Sequence, residues 1–332
     1  MSFKAALHAQ RIVLDGALGT QLEETIPREN PLSVKGLPLW SAKVLIQEPS
    51  MITKIHQSYL EKGASVLITS LYQASLQTLQ KHENMSLEQS RQVWKKSIDC
   101  VKDAVKLVNP TSKVFIVASI GPYGAFLANG AEYSGEYGDM SIDKLCEYHR
   151  EMLEYFAASD DVDCIAFETI PKFEEVKAIL KLADEVLSNC RKEFYITLSC
   201  KNSAMLADGT PLTDVFTYML SEDFSKTVRD CFVATGCNCV PFEDVAEFIS
   251  NANKTAVSLN VEPLTLIVYP NYGFENDMSD VSQYVFKKSS EKWAQAVEKW
   301  CLFTNVRGIG GCCSTGPEEV AQICKIVEQH NH

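Results

Sequence analysis

Long apolar runs are missing from this chain: no segment of its 332 residues approaches the roughly 20 consecutive apolar residues that span a bilayer. The opening Met1-Ser2-Phe3-Lys4-Ala5 also lacks the continuous apolar core of a secretory signal. The chain is therefore expected to be cytoplasmic, with no membrane partner. Positive charge is in deficit, with 31 Lys and Arg against 43 Asp and Glu and a formal net charge of -12. That balance argues against a nucleic-acid partner, which would call for a basic patch or excess. No low-complexity linker or internal repeat divides the sequence, so one domain over residues 1–332 is expected. An early G-x-G-x-x-G is absent too. Gly308-Ile309-Gly310-Gly311 matches it only in part and runs into cysteines, so a dinucleotide site is discounted. Histidine is scarce, with six in all. His8, His330 and His332 lie near the termini and His82 in a polar stretch. His56 and His149 fall inside predicted helices and are read as satisfied structural residues rather than metal ligands.

What remains after these absences is an alternation of short β-rich runs and amphipathic helical stretches. The strand candidates are residues 12–14, 65–69, 114–119, 164–167, 194–198, 231–235, 264–269 and 306–309. Between them the helical period is plain. Ile52, Ile55, Tyr59 and Leu60 follow it after Pro49 and stop near Gly63, and Ile142, Leu145, Cys146, His149, Met152, Leu153 and Phe156 repeat it. Strand and helix in alternation predict a parallel sheet covered by helices, and eight strands predict a closed (β/α)8 barrel of TIM type. Two long irregular stretches follow strands. One covers residues 24–38, with Pro27, Pro31, Gly36 and Pro38. The other covers residues 121–138, with five glycines and Tyr123, Phe126, Tyr133 and Tyr137. Loops in these positions are where barrel enzymes carry function.

Cysteine is plentiful at twelve. In a chain of this size and expected compartment most are plain buried thiols, and Cys100, Cys146, Cys164, Cys190, Cys200, Cys231, Cys301 and Cys324 are read so from their apolar contexts. The exceptions are Gly236-Cys237-Asn238-Cys239 and Gly310-Gly311-Cys312-Cys313-Ser314-Thr315-Gly316-Pro317, each of which follows an apolar run ending in glycine. Adjacent cysteines make a poor disulfide pair, since neighbouring Cα atoms lie about 3.8 Å apart and a relaxed bridge wants roughly 4.4 to 6.8 Å. Two thiols on one metal is the more natural reading. Cys239, Cys312 and Cys313 then offer three thiolates to one zinc per chain and leave a fourth position open. Cys237 could be a fourth ligand, but it stands closer to the strand, where it would pack.

Residues just past the C-terminal ends of barrel strands share one mouth. Those positions here are Asp15, Tyr72, Gln73, Gly121, Glu168, Asn238, Cys239, Asn271, Cys312 and Cys313. An open soft-sulfur zinc suits a substrate thiol, which it would hold as thiolate at neutral pH. Free thiols titrate near 8.5 and stay mostly protonated there. Methyl transfer from a sulfonium needs that thiolate and in-line alignment, because the leaving group is a neutral thioether. Asp15 and Glu168 fit as anchors for a substrate ammonium, and the N–H groups of Gly16 and Ala17 as takers of a carboxylate.

At this point the sequence strongly resembles the homocysteine S-methyltransferase family. The matching motifs are Asp15-Gly16-Ala17-Leu18-Gly19-Thr20, Leu39-Trp40-Ser41-Ala42, Tyr72-Gln73-Ala74, Ser119-Ile120-Gly121-Pro122-Tyr123-Gly124, Phe167-Glu168-Thr169, Gly236-Cys237-Asn238-Cys239, Tyr269-Pro270-Asn271 and Gly310-Gly311-Cys312-Cys313. They run in order over nearly the whole chain. The resemblance implies a (β/α)8 enzyme whose zinc is held by Cys239, Cys312 and Cys313. It also implies homocysteine as substrate, bound through its sulfur and through its amino-acid end near Asp15 and Glu168, and methionine as product. The short single-domain form is similar to the enzymes that use S-methylmethionine or S-adenosylmethionine. Tyr72, Gln73 and Asn238 are expected to line the substrate site. The chain departs from many members of the family at Ser314 and Glu319. Betaine as donor and selenocysteine as acceptor are the neighbouring alternatives. A non-enzymatic zinc or thiol redox sensor is a rival from a different class, and it would leave the anchor residues without a purpose.

Overall fold

The structure, a computed structural model, describes residues 1–34, 38–188, 190–221, 224–272 and 289–331. Gly36 and His332, singled out above, lie outside them. All eight expected strands are present: β1 (Ile12–Val13), β2 (Val66–Ile68), β3 (Phe115–Ile120), β4 (Cys164–Ile170), β5 (Glu193–Leu198), β8 (Phe232–Pro241), β9 (Leu266–Asn271) and β10 (Val306–Ile309). They form one parallel sheet in the order β1-β10-β9-β8-β5-β4-β3-β2. A parallel bridge between Leu14 and Val66 joins its two ends, so the sheet closes as the eightfold alternation predicts. A short antiparallel hairpin, β6 (Cys200–Asn202) with β7 (Met205–Leu206), follows β5. The sequence pattern did not show it, because three-residue strands carry no periodicity.

Closure sorts the apolar residues into two layers. Strand side chains alternate between faces. Leu14, Val66, Val117, Ala166, Tyr195 and Ile267 fill the barrel, while Phe167, Ile196, Cys237 and Val268 meet the helices outside. β4 is buried along its whole length, as a parallel strand covered on both faces must be. The two predicted helical stripes become Pro49–Glu61, with proline in the first turn, and Ile142–Ala157, capped by Ser141. The N-terminal helix Phe3–Ala9 closes the barrel floor. Phe3 meets the Phe115 ring edge-on at 5.5 Å and stacks on Tyr195 at 6.2 Å, and the Lys4 N–H donates to Glu193 at the start of β5. The open mouth is therefore at the C-terminal ends of the strands.

Part of each long stretch is helical. Helix Leu18–Thr25 takes the first two residues of the 24–38 stretch. The 121–138 stretch holds helix Tyr123–Leu127 and a 3-10 turn, Ala131–Tyr133. The second loop is tied down from below by one fully buried carboxylate. Glu175 accepts the Tyr123 N–H at 2.7 Å and the Tyr137 hydroxyl at 2.6 Å, and it meets His149 Nε2 at 2.9 Å. His149 thus has the structural partner expected of it.

Candidate functional site

Cys239, Cys312 and Cys313 converge. Their sulfur atoms lie 2.6 Å (Cys239 to Cys312), 3.6 Å (Cys239 to Cys313) and 4.0 Å (Cys312 to Cys313) apart, half-buried at the mouth. Two local backbone devices bring them there. On β8 the pairing with β9 slips between Asn238 and Pro241, and Cys239 adopts a positive φ of 52°, which turns its side chain out of the strand's alternation. After β10 the chain folds back on itself. Cys312 N–H donates to Pro270 O at 2.7 Å, Thr315 N–H returns to Cys312 O at 3.0 Å, and Tyr272 N–H reaches Cys313 O at 3.2 Å. Two neighbouring cysteines are thereby held with both thiols facing Cys239. Hydrogen bonds from Cys239 and Cys312 hold Cys313 well below the ordinary thiol range. Donation to its two partners, with burial, pushes Cys239 up. Among the described residues this is the one cluster of three or more Cys, His, Asp or Glu side chains able to grip one ion, and three soft donors fit a thiophilic metal. Cys237 stays fully buried in the helix-facing layer and faces away from the cluster.

Beside the thiols the barrel interior ends in a polar layer. Glu168 projects inward from β4, accepting from Ser119 Oγ and from the Tyr269 hydroxyl at 3.2 Å. Burial raises it to about 7. Asp15, past β1, accepts the Ile68 N–H at 3.0 Å. Burial pushes it well above the carboxylate range, the Ile68 bond opposes this, and the charge of Glu168 adds to the rise. Two buried acids thus stand near one another, and among the described residues neither is paired with lysine or arginine.

Other site residues have duties the sequence did not show. Asn238, expected to line the substrate site, also acts as a strut: its Oδ1 accepts from the Thr169 N–H and Thr197 Oγ1, and its Nδ2 donates to Thr169 Oγ1, each at 2.7 Å. It holds Thr169 at a positive φ of 61°, a strained state for a β-branched residue, where the β4 register slips. Ala17, expected to offer its N–H to a carboxylate, already donates it to Thr315 O at 3.2 Å, because the Cys312 turn folds against this loop. Gly16 N–H makes no hydrogen bond among the described residues, and the helix that follows, Leu18–Thr25, has no side-chain cap on its first turn. A Cβ on Gly16 would stand 2.8 Å from the Tyr59 ring, so a larger residue there would have to displace that ring. Tyr72 and Gln73 are half-buried, each with an oxygen shut off from solvent, and the Tyr72 phenol is raised by burial and then by Glu132 and Cys239. Asn271 is buried at the end of β9.

Tyr133 was visible only as part of a tyrosine-rich loop. Tyr133 is exposed, and the charge of nearby Cys239 and Cys313 pushes its phenol well above the ordinary range, which keeps it protonated. It also lines a cleft of about 590 Å³ with Tyr137, Lys172, Lys201 and Asp208. His56 departs from expectation as well: it is buried, yet among the described residues neither ring nitrogen has a hydrogen-bond partner. Cys190 is exposed rather than packed, because it lies in the turn beyond helix Phe173–Leu187.

The sequence model described as "Homocysteine S-methyltransferase" matches residues 12–327. A homocysteine S-methyltransferase of Escherichia coli is 32% identical over 96% of this chain and 96% of its own length. A selenocysteine Se-methyltransferase of Brassica oleracea is 32% identical over 94% of this chain and 88% of its own. Among solved structures, the metallated form of the E. coli homocysteine methyltransferase MmuM superposes with a TM-score of 0.77 at 29% identity, covering 97% of this chain and 98% of that one.

Proposed function

This chain belongs to the homocysteine S-methyltransferase family, and from that premise we propose that it methylates the sulfur of homocysteine from a sulfonium donor, S-methylmethionine ahead of S-adenosylmethionine, giving methionine. The observation that carries the reading is the juxtaposition of three thiols with two buried acids that pair with no lysine or arginine among the described residues. One face of the site suits a substrate sulfur and the other a substrate ammonium.

Cys239, Cys312 and Cys313 would hold zinc. The separations of 3.6 and 4.0 Å bracket the roughly 3.8 Å edge of a tetrahedron with metal–sulfur bonds near 2.3 Å, and the 2.6 Å pair is shorter. Bound there, zinc keeps a substrate thiol ionised at neutral pH. The rest is positioning by the chain. Glu168, poised near 7, ionises on meeting an ammonium, and Asp15 takes its other side. Gly16 N–H and the first turn of helix Leu18–Thr25 suit the carboxylate. Held at both ends, the acceptor sulfur attacks the methyl carbon in line. The carbon–sulfonium bond breaks, its electron pair leaves with a neutral thioether, and the thiol proton goes to water. The cleft beside Tyr133 is the donor's approach.

A cationic donor is drawn to the anionic thiol cluster. Betaine is cationic too, so the choice of sulfonium rests on similarity to the single-domain members. Between the sulfoniums, no glycine-rich nucleotide turn demands an adenosyl group. Metal-replete protein with homocysteine is expected to make methionine with a higher kcat/KM from S-methylmethionine than from S-adenosylmethionine. The opposite ranking would overturn the donor order. Turnover with betaine or methylfolate and neither sulfonium would overturn the sulfonium reading, and reversible thiol oxidation without methyl transfer would replace an enzyme with a sensor. A parallel arm with selenocysteine tests the acceptor chemistry in the name of the Brassica relative.

Glu168→Ala is expected to weaken homocysteine use by roughly 10- to 150-fold, the worth of a charge-assisted hydrogen bond of about 1.5 to 3 kcal/mol, with metal content unchanged. Loss of metal in this variant would mean that the residue supports the fold of the mouth rather than the substrate.

A further inference from the structure

Helix Pro49–Glu61 stands behind the loop that follows β1 and touches it twice. Tyr59 donates its hydroxyl to Ala17 O at 3.1 Å. Almost one turn earlier, His56 Nδ1 lies 3.9 Å from Asp15 Oδ2, about 0.7 Å beyond hydrogen-bond reach. His56 is 0% exposed, and both its ring nitrogens lack a partner among the described residues. A neutral imidazole always carries one N–H, and an N–H buried without an acceptor is destabilising where an apolar side chain of the same shape would not be. Burial lowers His56 to about 4, so the ring is a neutral donor and not a counter-ion. Asp15 Oδ2, which accepts the Ile68 N–H of β2, is also the oxygen that lies 3.9 Å from His56 Nδ1, which leaves Oδ1 for a ligand.

We propose that His56 is a positioning residue for the acceptor amino acid: with homocysteine bound, its Nδ1–H donates to Asp15 Oδ2 and fixes the carboxylate with Oδ1 on the substrate ammonium. This rests on the reading of Asp15 as an ammonium anchor. The two polar substitutions that mimic one ring nitrogen each provide the test. The amide of His56→Asn falls near Nδ1 and that of His56→Gln near Nε2, while His56→Leu offers neither. In metal-replete enzyme, His56→Gln and His56→Leu are expected to raise the KM for homocysteine about tenfold, the equivalent of about 1.4 kcal/mol. Donor KM, kcat and metal content should hold, and His56→Asn should stay within about threefold of the parent. Placed on Asp15→Asn, His56→Leu should add nothing, because its effect runs through that carboxylate.

Equal KM values for Asn and Gln would overturn the proposal. So would a loss spread evenly over kcat and both substrates, or a full His56→Leu effect on Asp15→Asn. If His56→Leu does not fold, the contrast between Asn and Gln decides. Parent enzyme that makes no methionine from homocysteine with any donor would instead sink the reading of the whole site, whatever His56 does.

Discussion

Alanine at Cys239, Cys312 or Cys313 is expected to remove bound metal and reduce methyl transfer by on the order of 10³-fold or more, while the barrel stays folded. The size follows from two losses. A free thiol with a pKa near 8.5 is only about 3% ionised at pH 7, which alone accounts for roughly thirtyfold. Losing the point that fixes the acceptor sulfur forfeits the orientation advantage besides, worth several kcal/mol in well-aligned reactions. The fold survives because all three side chains sit half-buried at the mouth, above the apolar layer that fills the barrel. Cys237→Ala is the control. Its thiol packs against the helices, so it should retain full metal and activity and lose about 1 kcal/mol of stability. Metal analysis beside the activity assay checks this. Full metal content and normal turnover in any one of the three would remove that cysteine from the ligand set, and metal loss in Cys237→Ala would add a fourth.

The (β/α)8 plan was legible because it depends on quantities a linear pattern carries. Strands buried on both faces read as short apolar runs, and β10 (Val306–Ile309) matches its expected bounds. Strand ends were less legible where the backbone breaks its own alternation. β4 and β8 run three and six residues beyond the expected 167 and 235, through register slips at Thr169 and Cys239. Those slips are set by contacts between strands, such as the Asn238 amide on Thr169, and no single segment encodes them. The three thiols and two acids could be placed from topology alone, since each follows an expected strand. Ser119, Thr197, Tyr269 and His56 could not, because their roles depend on which side chain lies across the barrel or behind a loop. Asn238 and Ala17 went the other way. Both stand at the mouth, and there the Asn238 side-chain oxygen and the Ala17 N–H already hydrogen-bond within the protein.

The same dependence of the mouth on strand packing predicts that Gly236→Ala is among the most damaging single changes in the chain. Gly236 pairs with Ile267 across β8 and β9, and a Cβ there would overlap the Ile267 carbonyl oxygen and its backbone carbon, far inside the 3.0 Å that real Cβ atoms essentially never breach. A flexible side chain could move aside. A backbone carbonyl in a closed barrel cannot, because shifting β9 also strains its pairing with β10 at Ile267 and Gly308. Overpacking a core ordinarily costs about 1 to 3 kcal/mol, and relief by backbone displacement through two strand pairs should bring the loss to about 4 kcal/mol or more. The expected result is a fall in Tm of roughly 6 °C or more or failure to accumulate as folded protein. In whatever folds, metal affinity should drop, since Cys239 lies three residues downstream on the displaced strand and Cys312 hangs from Pro270 on its neighbour. Thermal unfolding and metal titration of Gly236→Ala against the parent provide the check: an unchanged Tm with unchanged metal affinity would show that β8 and β9 part easily here, and that the geometry of the three thiols does not depend on their close contact.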